Sequence, residues 1–295
     1  MYRKFVKVIP FPDELAHSII ARVALANCCH SELVISSLRT LLQLPPTDNP
    51  VFVLAAGLSM DRDILLTRHT MHPLHYAVAR NSALVPLSSR KNGFQALFGP
   101  KSAATARYCE LCFLAERGTC VIPSWRRKHH LPAVDWCPVH FTPLRAWSTE
   151  LAAPFFRHSQ QGLFEHLDAE VASSVENAVL RRYGQLLTSW LDRSVPYSSL
   201  KVCKVILAEC HRQNIRCSKE GSAPLLSDIL LSKLPPTWVH RHMPHLANKK
   251  AGIAHPKFDT LGTSSSDSFP TASLALILAA LFASISDIDR ALESY

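Results

Sequence analysis

The chain has 295 residues, of which 47% are hydrophobic and 19% charged. That balance excludes a disordered tail protein and leaves length for about two domains of ~150 residues. Lys and Arg number 32 against 23 Asp and Glu, a formal +9 with fifteen His in reserve, so polyanionic partners are expected, nucleic acid ahead of a membrane surface.

Only nine Gly, well under the usual ~7%, argue against a glycine-rich β or dinucleotide-binding fold and for helices. The longest apolar run, Ala272 to Ile285, has 14 residues and contains Ser273 and Ser284. It reads as a buried core helix, too short to span a bilayer. No signal or transit segment opens the chain, so a cytoplasmic location is expected, with the nine Cys as reduced thiols and metal as their first use.

From Asp13 to Leu44 the spacing predicts two helices. Asp13 is placed as the first cap, Leu15, Ile19, Ile20, Val23 and Ala24 form one stripe, and Cys28-Cys29-His30 makes the turn. Pro45-Pro46 ends the second helix. Val51 to Ala56 and Asp61 to Arg68 form another short pair around Gly57-Leu58-Ser59. Such pairs on a basic chain fit DNA-binding helix-turn-helix units, and equally fit an ordinary helical bundle. Residues 84–107 read as a basic loop carrying Arg90-Lys91. Beyond the Cys/His-rich stretch at 108–147, helices are expected over Phe164 to Leu191, Ser199 to Cys217, Ala223 to Leu234 and a terminal pair around 272–293. The polar stretch Asn248 to Phe269 reads as a surface loop or linker. The expected architecture is mainly α: an N-terminal helical, helix-turn-helix-like domain over 1–105, a zinc-binding module of the ribbon or finger kind over 106–148, and a C-terminal helical domain over 149–295.

The strongest chemical signal is Cys109-Glu-Leu-Cys112, then 24 residues, then Cys137-Pro-Val-His140. Zinc takes four N/S donors in a tetrahedron, and these pairs supply three sulfurs and one nitrogen. A complete donor set makes the site structural, because a catalytic zinc keeps one position for water. Cys120, His129 and His130 lie within the insert as bystanders, with exchange for one of the four ligands left open. The same insert holds Trp125-Arg126-Arg127-Lys128, read as phosphate contacts beside a stacking aromatic, together with Arg90 and Lys91. The bland alternative is a solvated charge run on a zinc loop. A zinc-deaminase reading through His30-Ser31-Glu32 with Cys109 and Cys112 stays remote: Tyr108 stands where Pro is needed, and Cys137 and His140 go unexplained. No H-E-x-x-H, P-loop or G-x-S-x-G sequence occurs, so nothing calls for an enzyme. Cys203, Cys210 and Cys217 recur every seven residues and read as buried thiols, since seven-residue spacing on one helix cannot close a tetrahedron.

Taken together, these motifs resemble the TniQ family, which includes the TnsD-type target selectors of bacterial transposons. Pro10-Phe-Pro-Asp13-Glu14 with Ser18 and Arg22 is similar to the family's opening signature, and Leu66-Thr-Arg-His69-Thr70-Met-His-Pro73 to its H-T-x-x-P segment. Tyr108-Cys109-x-x-Cys112, Trp125 and Cys137-Pro138-x-His140 resemble its zinc module; Phe141 to Phe156 lacks the second CxxC that many members carry, so one zinc is expected and a second is doubtful. The resemblance implies a non-catalytic protein that marks an insertion site and recruits an AAA+ ATPase regulator of the TnsC type. It also implies work on double-stranded DNA, either on an RNA-guided CRISPR effector, as a dimer or beside it, or by reading an attachment site alone. The chain's moderate length favours the adaptor.

Overall fold

A computed structural model describes residues 5–79, 107–116, 124–147, 164–165, 169–218, 221–261 and 270–294. The described chain is mainly helical and divides into two compact units, Met1–Pro73 with Val85–Leu167, and Leu74–Leu84 with Asp168–Tyr295. The Cys/His module belongs to the same unit as the N-terminal helices.

In the first unit, four helices follow one another: Ala16–Ala26, Ser31–Leu42, Pro50–Leu58 and Arg62–His69. Their starts are set by short polar side chains. The Asn49 side chain accepts from the Val51 amide with Pro50 behind it, and the Asp61 carboxylate accepts from the Asp63 and Ile64 amides. Ile19, Val23, Leu38, Val53, Leu54 and Leu65 close one apolar core between them. Gly57 makes the contact possible: a Cβ there would sit 2.6 Å from Leu38 Cδ2, inside van der Waals distance. The first helix does not begin on Asp13 as the sequence suggested. Asp13 has φ +62° in the left-handed region, Leu15 occupies the cap position, and the Asp13 carboxylate is used elsewhere.

Beyond these helices lies a small antiparallel sheet. Strand Arg107–Tyr108 pairs with Arg145–Trp147, which pairs in turn with Phe164–Glu165. Between the first two strands come the helix Glu110–Glu116 and the 3₁₀ turn Arg127–His130.

The second unit is built around Thr271–Leu281, in which every residue from Leu274 to Leu281 is buried. A helix apolar on all sides needs partners all round, and Ala178–Leu191, Ser199–Arg212, Leu226–Lys233 and Ile285–Ser294 provide them. Its last carbonyls are finished by three side chains, two from neighbouring helices and one from the residue that follows Ser199–Arg212. Arg182 Nε donates to Ala279 O at 2.9 Å, Lys233 Nζ to Ala280 O at 2.8 Å and Gln213 Nε2 to Leu281 O at 2.7 Å. Two of these are cations at the negative end of the helix dipole. The expected long helix over 164–191 is two, Ala169–Glu176 and Ala178–Leu191, because the Asn177 side chain accepts from the Val179 and Leu180 amides and restarts the helix. Pro236–His242 and Pro244–Ala247, which the sequence reading passed over, begin on prolines and run into the predicted polar stretch. Val78–Ala79 pairs in parallel with Tyr197–Ser198. Among the described residues, no single helix is long and apolar enough to cross a membrane.

Replacing Arg182 by Met keeps the stem but orphans the Ala279 carbonyl, so the second unit is expected to lose about 1–3 kcal/mol in a urea denaturation. An unchanged midpoint would show that the helix end needs no cap.

Candidate metal centre

Cys109, Cys112, Cys137 and His140 converge as the sequence spacing requires. Their ligand atoms all lie within 4.8 Å of one another, and the three cysteines are buried. The first pair is set by the start of helix Glu110–Glu116, where the Phe113 amide returns to Cys109 O at 3.0 Å. The second pair sits in a tight turn: the Phe141 amide donates to Cys137 O at 2.8 Å, the Cys137 amide to Thr142 O at 2.8 Å, and Phe141 itself has φ +54°.

The separations test the fit to zinc. Bonds of about 2.3 Å to sulfur and 2.0–2.1 Å to nitrogen, arranged tetrahedrally, require S···S edges near ~3.8 Å and S···N edges near ~3.5 Å. Cys112 Sγ stands 3.7 Å from Cys137 Sγ, and His140 Nδ1 stands 3.4, 3.4 and 3.6 Å from the sulfurs of Cys109, Cys112 and Cys137. The donor set therefore could hold one metal ion, and its chemistry suits zinc. Neither His30 nor Glu32 belongs to it.

Each sulfur also has one outer neighbour, none of which the sequence reading assigned to it. Thr142 Oγ1 is 3.4 Å from Cys109 Sγ, Arg126 Nη1 donates to Cys112 Sγ at 3.6 Å, and His129 Nε2 is 3.6 Å from Cys137 Sγ. Three thiolates and a neutral imidazole around a dication leave one net negative charge, and Arg126 is the cation that faces it. Arg126 is held there by Glu116, whose Oε1 accepts from both Nε at 2.8 Å and Nη2 at 2.6 Å. Hydrogen bonding to Cys137, then burial, push the Cys112 thiol up, whereas accepting that bond pulls Cys137 down. The pair keeps one proton that a metal ion must displace.

Residues 124–130 join this centre to the N-terminal helices. The backbone pairs as an isolated antiparallel bridge, Glu14 opposite Arg126, with the Leu15 amide donating to Trp125 O at 2.7 Å and the Arg127 amide to Asp13 O at 2.9 Å. Arg127 is 2% exposed. Its Nε donates to Asp13 Oδ1 at 2.9 Å, and its Nη1 to Thr67 O at 2.7 Å and Thr70 O at 3.3 Å. Trp125 is buried too, its amide donating to Ser18 Oγ at 3.2 Å and its ring meeting the His17 ring edge-on at 5.3 Å. The guanidiniums of Arg126 and Arg127, read from sequence as phosphate contacts, bond to carboxylates, carbonyls and a sulfur inside the unit, and Trp125 is buried against His17. Lys128 is half-buried, its amide donating to Asp13 Oδ2 at 3.3 Å. Arg90, Lys91 and Cys120 lie outside the described residues.

The opening signature closes the same knot. Glu14 is fully buried and accepts from the Phe11 amide at 2.9 Å, Ser18 Oγ at 2.7 Å and Arg22 Nη1 at 2.6 Å. Burial pushes its carboxyl up, and these donors, Arg22 first, pull it back. Arg22 also covers the Phe11 ring at 3.9 Å and donates to Ile9 O. His69 Nδ1 lies 2.8 Å from Glu14 O, and Thr70 Oγ1 donates to Leu66 O and accepts from the His72 amide. His130 is enclosed: Nδ1 lies 3.0 Å from Arg126 O and Nε2 accepts from the Arg107 amide at 3.1 Å, which fixes a neutral ring.

The first unit is thus a helical domain joined through buried carboxylate–guanidinium pairs to a Cys₃His cluster that could hold one metal ion. Residues 5–144 match the model of the TniQ family. That family comprises transposition-associated target-selection proteins, non-catalytic regulators of the process. A comparison with curated proteins finds no match.

Arg127→Ala is expected to destabilise the first unit by about 3–5 kcal/mol, because it leaves the Asp13 carboxylate without its counter-ion and two carbonyls without that donor. Arg127→Lys should recover little of this, lacking the planar fork. Denaturation midpoints near wild type for either variant would contradict the role. Burial holds His17 down to about 4 and His130 to about 3, the latter also facing Arg107. Unfolded histidine takes up its proton near ~6.5, so the stabilisation is complete above that pH and drains away as pH falls toward 4 and then 3. His17→Phe keeps a ring against Trp125 and is expected to flatten the decline in melting temperature below pH 6.5; an equally steep decline would exclude His17 as its source.

Proposed function

We propose that the chain is a non-catalytic adaptor that links a recogniser of target DNA to the AAA+ ATPase regulator, of TnsC type, of a DNA transposon. The recogniser in this reading is an RNA-guided CRISPR effector. The observation that carries the reading is the TniQ match over 5–144, which spans the Asp13–Arg127 knot and all four candidate ligands. The closed donor set supports it, since four protein ligands leave no position at which a bound water could be activated. Zinc in this reading is a folding element: it sets the turn at 137–142 and the strap at 124–130, and so the shape presented to partners. Lys128, Arg90 and Lys91 stay in the proposal as contacts to the phosphate backbone.

A second reading, autonomous recognition of an attachment site, is favoured by one observation. Helix Arg62–His69 follows Pro50–Leu58 through a tight turn at Ser59, φ +55°, and leaves Arg62, Ile64 and Arg68 exposed, as a reading helix would.

The two separate in one experiment with the full-length protein, a TnsC-type ATPase regulator and an RNA-guided CRISPR effector. The adaptor reading expects all three to co-elute, and Cys112→Ser, which opens the metal site, to abolish co-elution along with bound zinc. Co-elution of neither partner, with sequence-specific retardation of duplex DNA by the chain alone, would establish the second reading instead.

A further inference from the structure

Between Asp228 and Asp259 the chain has no acidic residue, yet it carries Lys233, Arg241, Lys249, Lys250 and Lys257 together with His240, His242, His245 and His255. Five formal charges of one sign within a chain of net +9 concentrate much of its excess in this segment.

The two flanking acids do not offset it at the surface. Asp259 is fully buried and turned inward, accepting from the Ser227 amide at 2.9 Å, Ser227 Oγ at 2.5 Å and the His255 amide at 2.6 Å. Asp228 is taken by Lys249, whose ammonium is itself buried, and by the Gly252 amide at 3.1 Å. Lys233 is committed to the end of the core helix through Ala280 O. Arg241, Lys250 and Lys257 are left, all three exposed and with no ion pair or side-chain hydrogen bond among the described residues. His240 and His245 are exposed beside them. The segment folds back as one piece on helix Leu226–Lys233: Lys249 and the Gly252 amide meet Asp228, Asp259 meets Ser227, and Pro236–His242 packs on Pro244–Ala247, which packs on the same helix.

A surface of this kind matches a polyanion, and the missing groups narrow which one. Proteins that track single strands stack bases on exposed aromatic rings. The only Phe, Tyr or Trp residues between Asp228 and Asp259 are Trp238 and Phe258, each 3% exposed. Cations without a stacking platform suit a duplex, whose bases are already stacked and whose phosphates face outward.

We propose that Arg241, Lys250 and Lys257 form a sequence-independent contact to the phosphate backbone of duplex DNA. This deepens the target-selection reading and rests on it: the second unit grips DNA beside the insertion site, a task for which the arginines of the zinc strap are already spent.

Fluorescence anisotropy of full-length protein on a labelled random-sequence duplex, across a salt series, tests the contact. The triple variant Arg241→Gln/Lys250→Gln/Lys257→Gln is expected to bind at least tenfold more weakly at low salt. Its slope of log affinity against log salt should fall by about 0.9 per cation, or ~2.7 in all. Arg181→Gln/Lys204→Gln, two exposed cations of the second unit outside this segment, should leave the slope unchanged. Wild-type slope in the triple variant, an equal loss in the control pair, or no duplex binding by wild type at any salt overturns the surface; none of these touches the co-elution that tests the adaptor. A slope loss confined to the triple variant, found alongside failed co-elution, upholds the surface and removes the adaptor reading. Zinc content and thermal melts identical to wild type confirm that the variants are folded.

Discussion

The first unit depends on one buried ion pair. Arg127 enters the N-terminal helices from the zinc module and meets Asp13 on one side and the carbonyls of Thr67 and Thr70 on the other. A buried guanidinium is tolerable only when its donors are matched, and here two separate stretches of chain supply three acceptors. The residues on either side follow from it. Trp125 and Arg127 face the helices, while Arg126 and His129 face the sulfurs. A short strap thus has one side in each half of the unit.

The arrangement explains why the polar residues of the opening signature occur together. Asp13 takes a left-handed backbone conformation, the sort of strain that Asp tolerates better than most residues, and this aims its carboxylate at Arg127 while its carbonyl receives the Arg127 amide. Glu14 turns the other way, into Ser18 and Arg22, and its carbonyl meets His69. These are structural duties, and they make the segment a seam between the helices and the Cys₃His cluster. The second unit solves a different problem, burying a helix with no polar face, and does so by bringing cations to the helix end.

The convergence of the four candidate ligands was legible in the sequence because chelation is local: two residues between paired donors set a turn whatever surrounds it. The helices of the N-terminal half were legible from apolar spacing, to within a few residues. The strap was not. Arg126, Arg127 and Lys128 form a run of cations, and a run of cations looks the same whether it faces water, phosphate or buried carboxylate. What decides is Asp13, more than a hundred positions away, and the two threonine carbonyls, which carry no side-chain signal at all. The one clue was that Asp13 and Glu14 open the chain's first helical segment beside Ser18 and Arg22, polar residues on a face that also has to bury Ile19 and Val23. Asn177 likewise split a predicted helix, because a side-chain cap competes with the backbone ladder and periodicity does not register it.

Zinc and the N-terminal knot are expected to form one cooperative structure through the strap. Hydrogen exchange at the Leu15 and Arg127 amides, whose acceptors are Trp125 O and Asp13 O, reads that junction directly when compared in zinc-loaded protein and after removal of zinc by a chelator. The account expects both amides to lose protection together with the Cys137 and Leu144 amides of the metal turn. Leu15 and Arg127 staying protected while the metal turn opens would contradict it, and would make the knot a fold that stands without its metal.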